Sequence, residues 1–346
     1  MAVAAGSPDP VEQPAPAADS PQDARRERPR VPPPYPAAIV IISLALIMGS
    51  AFTLSYSLAL GQPRPRHVPI AVVGGTSTPL LGTLEARATG GLDVHPFPSI
   101  TVARAAVDDQ RVYAVLEEGQ IPARLYVSSA TGASVARALQ QLVETLPPPL
   151  AVQVVDLHPL PPSDPQGLTG FYVTIAATIV GFVTVFQLRA NAPGIGLRPW
   201  LVLMAVLTVS AGAVLTLVAD ALLRALNGPF AEVWLILSIQ TAIAALFNSA
   251  MLVLVGRWAI VPTWTLFIVL GNTSSGGAVA PPLLPTFFAV IGRWLPHGAT
   301  VSALNAAVHF PSHQHAEPFL VLAGWLVGTG ALLVVAARAR GRSPAQ

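Results

Sequence analysis

Long apolar runs alternate with mixed, punctuated stretches along this chain. Ala37–Leu60 holds no charge, and at about 1.5 Å per residue it is long enough to cross a ~30 Å hydrocarbon core. It reads as an uncleaved anchor, because a signal peptide has an apolar region of only about 7–15 residues and a small-residue cleavage site. Further spans are predicted at Leu168–Leu188, Trp200–Leu223, Phe230–Val255, Trp258–Leu270 and Pro318–Ala337. Trp258–Leu270 is short, covering only about 20 Å as a helix.

Between the first two runs the period changes. Val68–Gly74, Arg111–Glu118, Ala123–Ser129 and Ala151–Leu157 read as strands, and Pro79–Ala88, Ile100–Asp108 and Gly132–Leu146 as helices. That alternation predicts a small α/β domain. The expected fold is an α-helical polytopic membrane protein of about six transmembrane helices with an inserted extracytoplasmic α/β domain. Its parts would be a disordered Pro-rich cytoplasmic tail (1–36), the anchor helix (37–60), the α/β domain (61–167), a five-helix transmembrane domain (168–337) with a re-entrant outer segment (271–310), and a basic cytoplasmic tail (338–346). Pro147–Pro149 and Pro159–Pro165 read as stiff linkers.

Composition supports a lipid-embedded class. Charged residues make up 10% of the chain and hydrophobic ones 53%, against about 25% charged in a soluble domain. A net charge of +2 gives no nucleic-acid footprint. There is no cysteine, which excludes a thiol nucleophile, a thiolate metal site and disulfides. Every basic residue is arginine, so the lysine of a phosphate-binding P-loop is missing and the chain is not itself an ATPase. Arg25–Arg30, Arg189, Arg198, Arg257 and Arg338–Arg342 fall on one side of six spans, and the excess of positive charge assigns that side, with both termini, to the cytoplasm of a cell membrane.

The segment Gly271–Phe310 is apolar yet broken by glycine and proline, with two short amphipathic pieces at Leu283–Trp294 and Ala299–Phe310. Broken backbone at membrane depth survives only where protein shelters it or where it lines a cavity. Gly271, Asn272, Ser274, Ser275, Gly276, Gly277, Pro282, Pro285 and Pro296 are therefore candidates for a translocation path or gate, and a loop on the outer leaflet is the alternative.

Three polar residues inside the spans could line such a path: Gln240, Asn248 and Asp220. Interhelical hydrogen bonds explain Gln240 and Asn248 without a substrate, and an interfacial ion pair with Arg224, four residues on, explains Asp220. His309, His313 and His315 have a spacing that suits a metal on a continuous helix, but Pro311 interrupts it and a solvated loop is the reading adopted. Asp108, Asp109, Glu117 and Glu118 lie at element ends, where solvated acids are common. No constellation supports catalysis, a metal or a cofactor, so the chain is read as no enzyme.

GNTSSGGAVAPPLLPTFF followed by IGRWLPHGATVSALNAAVHF resembles the C-terminal signature of type-2 ABC transporter permeases. The likeness is closest to the branch that includes the phage-infection-protein family and its actinobacterial relatives, and it runs from Ala37 to Ala337. Thr273 stands where relatives often have proline, and Asn305 where many have arginine. The resemblance implies an anchor helix, an extracytoplasmic domain, five further helices and two short outer helices before the last span. It implies a homodimeric permease that exports a hydrophobic or amphipathic molecule with a separate cytoplasmic ATPase subunit. A stand-alone envelope protein that binds ligands or scaffolds partners is the other reading.

Overall fold

The computed structural model describes residues 35–147 and 150–342; the tail arginines Arg25–Arg30 and residues 148–149 and 343–346 lie outside the described residues. Helix α1 (Tyr35–Leu60) leads into a five-stranded sheet of β1 (Val68–Val73), β2 (Leu92–Pro96), β3 (Ala114–Glu117), β4 (Ala123–Val127) and β5 (Val152–Asp156), in the order β2-β1-β3-β4-β5. β1 runs parallel to β2 and β3, β4 is antiparallel to β3, and β5 is parallel to β4. Helices α2 (Pro79–Arg87), α3 (Ile100–Asp108) and α4 (Ser129–Glu144) cover its faces.

The period of two along β1 sorts the residues. Val68, Ile70 and Val72 face Leu81 and Leu84 of α2 and Val135 and Leu139 of α4, whereas Ala71 joins Ala103, Ala106 and Val107 of α3. Each helix starts on a hydroxyl cap: Thr78, Ser99 and Ser128 accept the backbone N–H of Leu81, Val102 and Thr131. Two elements differ from expectation. β2 is an edge strand with only Leu92 and Val94 apolar before Pro96 stops it, too few to register as a period. α4 begins at Ser129 and not at Gly132, whose extended backbone kinks it.

Five helices are long and apolar enough to cross a membrane: α1; α5 (Thr169–Asn191); α6 (Leu197–Leu217) with its continuation to Leu222; the 43-residue stretch Phe230–Asn272; and α11 (Ala316–Arg342). The expectation was six. The long stretch unites two predicted spans, but it is not one straight rod. It contains α7 (Phe230–Val255), a 3₁₀ turn (Gly256–Ala259), α8 (Ile260–Trp264) and a π-helix (Thr265–Asn272). Gly256 takes φ +60°, a left-handed conformation that suits glycine. The chain doubles back there: Thr263 Oγ1 donates to Asn248 Oδ1 at 3.0 Å, and the Phe247 and Phe267 rings meet at 5.6 Å.

α7 is the central helix, and small residues let its neighbours close on it. A Cβ at Gly181 of α5 would lie 2.7 Å from the Thr241 carbonyl oxygen, and one at Gly212 of α6 would collide with the Ser238 hydroxyl. Two short helices, α9 (Thr286–Gly292) and α10 (Pro296–His309), precede α11. One end of the bundle meets the sheet region. Arg66 N–H donates to the Pro282 carbonyl at 2.8 Å, Ser163 Oγ to the Arg224 carbonyl at 2.6 Å, and His315 Nε2 lies 2.9 Å from the Asp109 carbonyl. At the opposite end Trp200 Nε1 donates to Ser249 Oγ at 3.0 Å, and Leu333 packs with Val185 and Ala250.

The expected Asp220–Arg224 ion pair does not form among the described residues. α6 widens into a π-turn at Val218–Leu222, and Arg224 adopts φ +52°, so the two side chains lose the i, i+4 register. What joins the residues is the Arg224 N–H donating to the Asp220 carbonyl.

Candidate functional site

The broken segment folds into the bundle because its glycines remove the atoms that would keep it out. A Cβ at Gly271 would sit 2.9 Å from His297 Nδ1, and one at Gly277 would sit 2.7 Å from the Phe171 side chain. Gly292 meets the Ser274 carbonyl, and Gly298 meets that of Gly292, with no room for a side chain at either position. The serines serve their own backbone: Ser274 Oγ donates to the Leu270 carbonyl, and Ser275 Oγ to that of Asn272 at 2.9 Å. These bonds satisfy carbonyls around the end of the π-helix, where the ordinary i→i−4 ladder has lapsed. Ser55 of α1 does the same from across the interface, donating to the Val269 carbonyl at 2.6 Å.

Beneath this knot lies a closed polar cluster. Thr300 Oγ1 of α10 donates to Gln240 Oε1 at 2.8 Å, and Gln240 Nε2 donates to Thr178 Oγ1 of α5 at 2.8 Å. Thr178 passes its only hydroxyl hydrogen to the Thr174 carbonyl at 2.9 Å. It can therefore only accept from His297 Nε2, 3.2 Å away, which places the imidazole proton on Nε2 and leaves Nδ1 to accept from Gln240 Nε2 at 3.5 Å. Gln240, Thr178, His297 and Thr300 are fully buried. Every donor has an acceptor with the histidine neutral. The chemical capacity of the cluster is positional: it ties α5, α7 and α10 together and presents no activated nucleophile.

Sequence reasoning named Gln240 but missed His297, Thr178 and Thr300. The spacing Thr174–Thr178 on an apolar helix was the available signal. Asn248, also buried, donates to the Phe182 carbonyl at 3.0 Å and accepts from Thr263. Gln240 and Asn248 are both fully buried, and Asp220 stands outside the cluster. Pro282 and Pro285 flank the step into α9 at the sheet end, and buried Pro296 starts α10. Asn272 is buried, with Oδ1 lacking a partner among the described residues.

Above the cluster, a cavity of about 70 Å³ separates the kinked start of α4 from α10, with Gly276, Gly277, Asn305, His309 and Asp164 in its wall. That is room enough for ordered water. Asn305 Nδ2 donates to the Ala130 carbonyl at 2.7 Å, while its buried Oδ1 has no partner among the described residues and is the natural acceptor for such a water. Asp164 caps α5, its carboxylate accepting the N–H groups of Leu168 and Thr169 at 3.0 and 2.9 Å.

His309, His313 and His315 diverge: His309 faces the cavity, while His313 and His315 reach Asp109, and no group of metal-binding side chains assembles among the described residues. Asp108 pairs with His158 at 3.1 Å, and Asp109 with Arg111 at 3.1 Å. Glu117 accepts from the Tyr126 hydroxyl and Glu118 from Thr78. Comparison with family models, curated proteins and solved structures finds no match for this chain.

Proposed function

We propose that the chain is the permease-like membrane subunit of a type-2 ABC exporter, working as a homodimer with a separate cytoplasmic ATPase and moving a hydrophobic or amphipathic molecule outward. The observation that carries this reading is the burial of α10, a short helix that enters from the sheet end and hydrogen-bonds to α5 and α7 inside the bundle. A loop lying on a leaflet would need no such sheltered contacts.

The fold-back at Gly256 supports six crossings, since each limb of Phe230–Asn272 then passes through the bilayer once. Arg189, Arg198, Arg257, Arg338 and Arg340 cluster at the end away from the sheet, which favours a cytoplasmic face there and an extracytoplasmic α/β domain. With Gln240 and Asn248 buried as bracing inside each copy, the closed interior favours a path at a face shared between copies. The same closure favours a second reading, a stand-alone scaffold of the cell envelope. The two are separated by isolating the tagged chain from its native membranes. The exporter reading expects a P-loop subunit and vanadate-sensitive ATP hydrolysis to co-purify with it, and their absence contradicts it.

A further inference from the structure

The end of the bundle opposite the sheet carries Arg189, Arg198, Arg257, Arg338 and Arg340, with Arg342 as the last residue of α11. The three stretches that build it, 184–200, 249–262 and 330–342, contain no Asp or Glu. Topological charge bias accounts for the sign but not for the architecture. The Arg189 guanidinium lies 4.9 Å from the centre of the Trp200 ring, and that ring is held in place by its own Nε1–H donating to Ser249 Oγ. Arg257 stacks on Trp258 at 5.2 Å. Beside Arg189 is a cavity of about 70 Å³, walled by Trp200, Ser249, Leu252, Leu333 and Ala337. One of the five Arg189 donors goes to the Pro193 carbonyl at 3.2 Å, and the rest of the fork remains for an anion. Arg338 and Arg340 follow Ala337 on α11 and are exposed.

We propose that this cavity holds the phosphate of an anionic phospholipid, with Arg189 as its direct partner and Arg198, Arg338 and Arg340 supplying the surrounding field. The reading does not depend on export. A lipid fits better than an acidic protein segment because the site joins a pinned guanidinium to an apolar wall at the end of spanning helices. Guanidinium–indole stacks belong at headgroup depth. A phospholipid presents phosphate and acyl chain together at that depth.

The test uses the full chain in uncharged detergent, read by native mass spectrometry and by melting. Phosphatidylglycerol should remain bound and raise the melting midpoint, while phosphatidylcholine, glycerol phosphate and polyglutamate should do neither. Arg189→Gln should weaken phosphatidylglycerol retention about five-fold, and the exposed pair Arg338→Gln/Arg340→Gln by a similar factor for each arginine removed. Arg293→Gln removes another indole-stacked arginine, 5.5 Å from Trp294 and outside this cavity, and should leave retention unchanged. Equal retention of both phospholipids overturns the proposal, as does full retention in both the Arg189 and the Arg338/Arg340 variants. Binding of glycerol phosphate alone would identify a free-phosphate site, and binding of polyglutamate alone an acidic protein partner; either result overturns it too.

Discussion

His297 occupies the space that a side chain at residue 271 would need: a Cβ on Gly271 would lie 2.9 Å from Nδ1 and 3.2 Å from Cγ of the imidazole. The ring cannot retreat freely, because Thr178 and Gln240 hold its two nitrogens. Gly271→Ala should therefore destabilise the protein by about 1–3 kcal/mol through overpacking. The double variant Gly271→Ala/His297→Ala should recover part of the loss. Melting in detergent measures both, and equal stability of Gly271→Ala and the parent would contradict the packing.

Gln240 satisfies Thr300, Thr178 and His297 at once. Gln240→Leu leaves these buried groups short of partners and should cost about 1–3 kcal/mol. The Gln240–Thr300 bond itself is worth less, about 0.6 kcal/mol on average in membrane bundles. A double-mutant cycle with Thr300→Val should return a coupling of that order, and strict additivity would mean the bond contributes nothing.

Asn305 ties the bundle to the sheet region through the Ala130 carbonyl. Asn305→Ala should loosen the first turn of α4 without unfolding the membrane helices. Hydrogen exchange reads this directly, with protection falling at residues 130–134 while α5 and α7 keep theirs.

Burial pushes the Tyr113 phenol up to about 12, from an ordinary value of 10.0. Below pH 10 the phenol is neutral in folded and unfolded chains alike. As pH rises from 10 towards 12, the unfolded chain gives up the proton while the folded domain keeps it, so stability falls across that window. Tyr113→Phe should flatten the alkaline slope of the sheet region's melting midpoint. A slope that persists in the variant would assign it to another group.

Periodicity made the sheet and most of the helices legible. Ile100–Asp108 and Phe230–Val255 emerge with the bounds read from the pattern, since an uninterrupted amphipathic or apolar run has one solution. β2 escaped because an edge strand buries little and so needs little pattern. The pairing of Asp220 with Arg224 failed because i, i+4 reasoning assumes an α-helical step, and the backbone widens into a π-turn at that point.

The candidate site was half visible. Glycines and prolines marked 271–298 as broken backbone, but not that each glycine answers a particular neighbour such as His297 or Phe171. Those partners are remote in the chain, so no local pattern encodes them. The same holds for Thr178 and Thr300, which look like ordinary small residues on apolar helices until Gln240 is seen between them.

The absence of cysteine allows one clean experiment on the central claim, that α10 is sheltered inside a six-crossing bundle. Single cysteines replacing Ser77, Gly194 and Thr300 are exposed to a membrane-impermeant maleimide in intact cells and again after permeabilisation. The account predicts labelling at position 77 in both conditions, at 194 only after permeabilisation, and at 300 in neither. Labelling of residue 300 from outside intact cells, or of residue 194 before permeabilisation, would contradict it.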